Sequence, residues 1–178
     1  MPFIALDTQT NQRIDITTIE HPRLVLKKEH LVCQLCHKSM LIKAGMVRQA
    51  HFAHIATTCT PEYEVHPESQ AHRDAKAFLA EHLRISFKEY TNAEIAYEVP
   101  IPEVRRVADL LALFPMGWRV AHEIQLASIT TDELQQRTDD YEQAGIDVVW
   151  WLGKSANTET NRTWCEKTFG YALTIYES

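Results

Sequence analysis

Apolar and polar residues alternate along FIALD (3–7) and RIDIT (13–17), which predicts two strands of a hairpin joined by the polar stretch 8–12. LVLKK (24–28) predicts a third short strand. Prolines and polar residues then break both periodicities in TTCTPEYEVHPES (57–69), and a domain seam is expected there, between a module 1–62 and a domain 63–178. From about 68 to 83, Ala71, Ala75, Phe78, Leu79 and Leu83 recur at helical spacing. Three strands follow at 94–99, 106–114 and 119–126, the last two joined by the turn PMG. A second helix is expected over 131–144, with Ser128 and Thr130 as caps and Gly145 as its stop. The apolar run DVVWWL (147–152) reads as a buried parallel strand. Helix, three-strand meander, helix and strand together specify a mixed α/β (α+β) sheet flanked by helices. The remainder reads as a polar loop, a short helix and a last strand, with Trp164, Phe169 and Tyr171 as packing residues.

Composition narrows the class without changing it. The 178 residues are 45% hydrophobic with five glycines, enough for a folded core. No stretch approaches the roughly 18 consecutive apolar residues of a membrane span. The start, MPFIALDTQ, lacks the basic and apolar regions of a secretion signal, so a reducing, cytoplasmic setting is the expectation, with no membrane partner. There, a close cysteine pair points to metal more than to a disulfide.

The net charge of −6 argues against nonspecific coating of nucleic acid, but its distribution is uneven. Between 21 and 60, Arg23, Lys27, Lys28, Lys38, Lys43 and Arg48 face the single acid Glu29. That pattern suits a basic module that touches phosphates joined to an acidic one that holds cations; an unevenly charged, solvated surface would read the same way.

Two groups of residues carry chemistry. Cys33 and Cys36 precede His51 and His54 by a fourteen-residue interval, and two thiolates with two imidazoles suit tetrahedral Zn²⁺. The short HFAH spacing implies a loop or strand-end pair of ligands, with His37 or Cys59 open as a substitute for one of them. Four protein ligands leave no open position, which makes the zinc structural.

The second group lies in the meander. The hairpin sets the strand carrying Asp109 beside the one carrying Glu123 and Gln125, whose side chains share one face while His122, Ile124 and Leu126 take the other. An acid is costly to bury unpaired in such a strand. Asp109 and Glu123, with the Ile124 carbonyl as a further oxygen and Gln125 near a bound water, suit Mg²⁺ or Mn²⁺ and phosphoryl chemistry. Two edge-strand carboxylates in solvent are the plain alternative.

An Asp, a hairpin and then Glu-x-Gln resembles the PD-(D/E)XK nuclease superfamily. The ordered set Cys33-x2-Cys36, HFAH, Glu68-Ser69-x2-His72-x3-Lys76, Arg105-Arg106-x2-Asp109, EIQ, Arg137-x3-Tyr141 and VVWWL is similar more narrowly to the competence protein CoiA family, over about 30 to 152. The resemblance implies a PD-(D/E)XK restriction-endonuclease-like core preceded by a small β-rich, zinc-ribbon-like module. It further implies a magnesium-dependent deoxyribonuclease in DNA processing or recombination during natural competence, or in repair. DNA is then the partner, with recombination or competence proteins, and a homodimer where two strands are to be cut.

On that resemblance Glu68 and His72 join Asp109 and Glu123 as ligands or water positioners, presented on one face of the first helix with Lys76. Arg105, Arg106 and Lys76 become phosphate contacts, only one of the two arginines pointing at the site. Arg137 and Tyr141 hold a phosphate or orient the active-site acid, unless Arg137 simply pairs with Asp140 or Glu133. Gln125 stands where many members of the superfamily carry lysine, and an amide positions water without lending it charge. A catalytically weak nuclease fold serving as a DNA-binding or protein-binding accessory is the other function these residues allow.

Overall fold

The computed structural model describes residues 2–45, 49–55, 59 and 68–176. They fall into two compact units, 1–69 and 70–178, and the expected seam at 62 and 63 lies outside the described residues.

In the first unit, β1 (Ile4–Asp7) and β2 (Gln12–Asp15) pair antiparallel with Ile4 opposite Asp15 and Asp7 opposite Gln12. Their turn is held by Asp7, whose Oδ1 accepts from the Gln9 and Thr10 amides at 2.8 and 3.3 Å, the Asx geometry that favours aspartate there. The third strand expected over 24–28 does not form. Pro22 sits in the first turn of a short helix α1 (Pro22–Val25), where its fixed φ and missing N–H are tolerated, and Leu24 and Val25 are exposed. The chain pairs with β1 only at β3 (Leu31–Val32). Then β4 (Met40–Lys43) and β5 (His51–His54) form an antiparallel pair with Met40 opposite His54. Phe3, Ile4, Ala5, Ile16, Leu31, Met40 and Phe52 are buried and make the unit's core.

The second unit follows the expected order. Helix α2 (Gln70–Ser86) leads into β6 (Glu94–Ile101), β7 (Arg106–Leu113) and β8 (Arg119–Gln125), an antiparallel meander. Helix α3 (Thr131–Gln143) returns the chain to β9 (Asp147–Leu152), which lies parallel to β8 with Glu123 opposite Trp150. Helix α4 (Glu159–Phe169) carries it to β10 (Leu173–Thr174), a parallel edge strand on β9. The sheet order is β10-β9-β8-β7-β6, so the mixed sheet flanked by helices is as the periodicity indicates.

Helix α3 begins with a reciprocal capping box, Thr130 accepting from the Glu133 amide while Glu133 accepts from that of Thr130. Leu134 and Tyr141 pack with Ala108, Ala121, Ile146, Trp150, Leu152 and Cys165 in one buried cluster. Helix α2 is rotated from expectation. Phe78 is 60% exposed, and the buried stripe runs through Arg73, Lys76, Leu79, Ala80 and Leu83. The N-terminal half of its inner face is thus charged.

Candidate active site and metal centre

In the first unit the turn after β3 makes a knuckle. The Cys33 amide donates to the Lys38 carbonyl at 2.9 Å, the His37 amide donates to the Cys33 carbonyl at 2.9 Å, and His37 takes a left-handed φ of 55°. This turns the thiols of Cys33 and Cys36 toward His54 and Cys59, and the four ligand atoms lie within 4.8 Å of one another. The Cys33 and Cys59 sulfurs are 3.8 Å apart, and Cys36 Sγ is 3.2 Å from His54 Nε2. Ligand atoms around a tetrahedral zinc thiolate centre stand about 3.7 Å apart, so this Cys3His group can hold a metal such as zinc.

His51 is not among these ligands. Side chains alternate along β5, so two histidines three positions apart face opposite ways. His51 is buried with Nδ1 3.0 Å from the Gln49 carbonyl, and Cys59 takes the fourth position. Burial pushes the Cys33 and Cys59 thiols up; for Cys36 the Lys38 amide and the neighbouring thiols outweigh burial and lower it. Burial also lowers His54, which favours the neutral imidazole that a metal needs.

In the second unit the β7–β8 ladder runs from Leu113 opposite Arg119 to Leu110 opposite His122. One step further the two carboxylates take over the strand bonding. The Asp109 amide donates to Glu123 Oε1 at 3.2 Å and the Ile124 amide donates to Asp109 Oδ2 at 2.9 Å. Asp109 and Glu123 therefore meet at one point, as the hairpin expectation requires. His72 on α2 closes the group, with Nε2 3.1 Å from Asp109 Oδ2. Glu123 keeps 1% of its side chain exposed, whereas Asp109 and His72 keep 17% and 22%, so the site is reached from the Asp109 side.

Burial works to raise the Asp109 pKa, but the charge and hydrogen bond of His72, the Lys76 ammonium and the Ile124 amide prevail and hold it at about 2. Glu123 moves the other way, because burial and the Asp109 charge outweigh Arg137 and Tyr141. Glu123 thus feels the Asp109 charge, and a divalent cation between the two would relieve that repulsion; hard carboxylate oxygens are the donors Mg²⁺ and Mn²⁺ prefer.

Arg137 and Tyr141, one turn apart on α3, both reach Glu123. Tyr141 Oη donates to Oε1 at 2.7 Å, Arg137 Nη2 donates to Oε2, and Arg137 Nη1 donates to Gln125 Oε1 at 3.1 Å. The guanidinium lies 4.7 Å over the Trp150 ring. Of the two roles expected for this pair, orienting the acid is the one the geometry supports, since Tyr141 is 1% exposed. Arg137 pairs with Glu123, and Asp140 binds Arg106, at 2.6 Å to Nη2. Arg106 is thereby committed to α3 instead of to a phosphate, while Arg105, in a left-handed residue ahead of β7, is exposed. Gln125 also donates to the Ala127 carbonyl at 2.9 Å, which anchors the amide beside Arg137.

Two further expectations change. The helix begins at Gln70, so Glu68 stands two residues before its start instead of within it. Lys76 is bonded to Glu98 at 2.6 Å, which commits its ammonium to that carboxylate instead of to a phosphate. Glu98 went unread in the sequence. It has a φ of 50° in the middle of β6, between the Tyr97–Leu110 and Val99–Ala108 pairs, a rare backbone state for a strand residue that marks it for attention.

The family model for the competence protein CoiA nuclease-like domain matches residues 68–178, and the model for the competence protein CoiA N-terminal domain matches 14–62. Competence protein CoiA of Bacillus subtilis (strain 168) is 30% identical over 131 residues, which is 73% of this chain and 33% of that protein. The match spans about a third of that relative's length. A crystal structure of a repair endonuclease from Pyrococcus abyssi is 21% identical, with 65% of this chain and 48% of that one covered and a TM-score of 0.36.

Proposed function

The chain belongs to the competence protein CoiA family, and from that premise we propose that it is a metal-dependent nuclease that hydrolyses phosphodiester bonds of DNA. The carrying observation is the meeting of Asp109 and Glu123 where the β7–β8 ladder gives way to carboxylate bonds. These two carboxylates would hold Mg²⁺ or Mn²⁺, which supplies Lewis acidity at the phosphate and a more acidic bound water. His72 fixes Asp109 through Oδ2, and Tyr141 with Arg137 aims Glu123. Gln125 carries no charge itself; by binding Arg137 it keeps a cation at the position where many related nucleases carry lysine.

In the N-terminal module Cys33, Cys36, His54 and Cys59 would hold zinc as a structural ion, with all four positions filled by protein. Arg23, Lys27, Lys28, Lys38 and Lys43 are exposed there and would meet phosphates; Arg48 lies outside the described residues. No helix among the described residues is long and apolar enough to cross a membrane, and the proposed setting is the cytoplasm, in the processing of incoming DNA or in repair.

The test is cleavage of labelled single-stranded, double-stranded and branched DNA with Mg²⁺ or Mn²⁺, comparing wild type with Asp109→Ala and Glu123→Ala. Wild type is expected to cut and both variants to fall below detection. A folded, zinc-loaded wild type that cuts none of these would move the reading to a nuclease-fold accessory in which Arg137 is the permanent counter-ion of Glu123.

A further inference from the structure

Three cations of the second unit each have a carboxylate: Lys76 has Glu98, Arg137 has Glu123 and Arg106 has Asp140. Arg73 does not. It is 2% exposed on the inner stripe of α2, and only its Nη2 is bonded, to Gln70 Oε1 at 2.5 Å. Its Nε and Nη1 are buried with no acceptor. The Gln70 amide is already fixed by its own donation to Asp74 Oδ1 at 2.7 Å. A guanidinium stays charged at any pH a protein meets and brings five N–H donors. Buried without a counter-charge it is costly, and a native chain rarely keeps such a group unless something else completes it.

The position says what would complete it. The bond to Gln70, the first residue of the helix, shows that the guanidinium reaches back to the first turn of a 17-residue α2, a turn with no acid in it. The positive end of the helix dipole favours an anion there. His72, the next residue back on the same turn, is bonded to Asp109.

We propose that Arg73 forms an oxyanion site with the first turn of α2, and that its ligand is a phosphate group. A planar cation with several N–H donors matches a tetrahedral oxyanion, whether free phosphate or a phosphodiester of a strand. The strand assignment rests on the nuclease reading; phosphate binding does not.

The experiment is thermal unfolding of the full chain at constant ionic strength, with inorganic phosphate replacing chloride over the low millimolar range, for wild type, Arg73→Met and Arg73→Lys. Wild type is expected to show a saturable rise in Tm, Arg73→Lys a smaller one and Arg73→Met none. In chloride Arg73→Met should melt no lower than wild type, because an uncompensated charge has gone. A second arm measures binding of oligonucleotides by anisotropy and, where wild type cuts, the kinetic constants. Arg73→Met should weaken strand binding and raise KM about tenfold, with kcat within twofold. Equal phosphate shifts in wild type and Arg73→Met, or a methionine variant that melts well below wild type in chloride or fails to fold, would overturn the proposal in favour of a structural guanidinium. A phosphate shift that needs Arg73, with strand binding unchanged, makes free phosphate the ligand. Absence of cleavage by wild type would sink the nuclease reading and leave the phosphate arm decisive.

Discussion

Glu123 is legible in the sequence because a carboxylate in an apolar strand needs a reason to be there, and Asp109 is legible because the hairpin brings it alongside. Their neighbour His122 faces the other way and shows what burial alone does. Its Nδ1 accepts from Trp151 Nε1–H at 3.1 Å, so its single proton sits on Nε2, 2.9 Å from the Tyr90 oxygen. Burial lowers its pKa to about 4, and a second proton would face the Trp151 N–H. Between that value and the ordinary one near 6.5 the unfolded chain binds the proton and the folded chain does not, so stability falls as pH drops through this window. The loss should approach about 3 kcal/mol by pH 4, read by denaturant unfolding, and His122→Gln should remove most of the slope between pH 6.5 and 4.5. Nothing local in the sequence marks this histidine; it reads as one alternate position of a strand like any other.

At the scale of elements, the alternation of β5 decides between two histidines that spacing alone left equal. Zinc content by elemental analysis should be near one per chain in wild type and in His51→Ala, and should collapse in Cys59→Ala. Cys59 stands five residues beyond the end of β5, so no strand period ties it to the knuckle that its thiol joins. The start of α3, by contrast, is written locally in Thr130 and Glu133. Thr130→Ala should cost about 1 kcal/mol of unfolding free energy, with cleavage kinetics unchanged. Helix α2 lies between these cases: its length follows from periodicity, but its rotation is set by Lys76 reaching Glu98 and His72 reaching Asp109. Those partners lie 22 and 37 residues away in the chain, which hides the charged inner face from any local pattern.

For the molecule as a whole, the mixed sheet and the order of its elements were legible because the elements from α2 to α4 are long enough to show their own period. The N-terminal unit was less so: its strands are two to four residues long, and Pro22 overrides the apolar run that follows it. So small a core would lean on a metal held by Cys33, Cys36, His54 and Cys59. Stripping metal with a strong chelator should therefore abolish the unfolding transition of residues 1–69 and leave a cooperative transition for 70–178, which calorimetry with and without chelator would resolve. The second unit's core of Tyr141, Trp150 and their neighbours contains none of these four residues.

The backbone turn at Glu98 also governs how the sheet meets other chains. β6 is the longer of the two outermost strands, and a long, regular outer strand offers a row of amides and carbonyls onto which another strand can add. Here Glu98 breaks the run with its left-handed φ, and two residues on Pro100 has no amide to give. That rim is poorly suited to template growth of the sheet, which protects a folding chain from strand-to-strand aggregation. A pair of copies assembled to cut both strands of a duplex would then meet through side-chain surfaces and not through one continuous sheet.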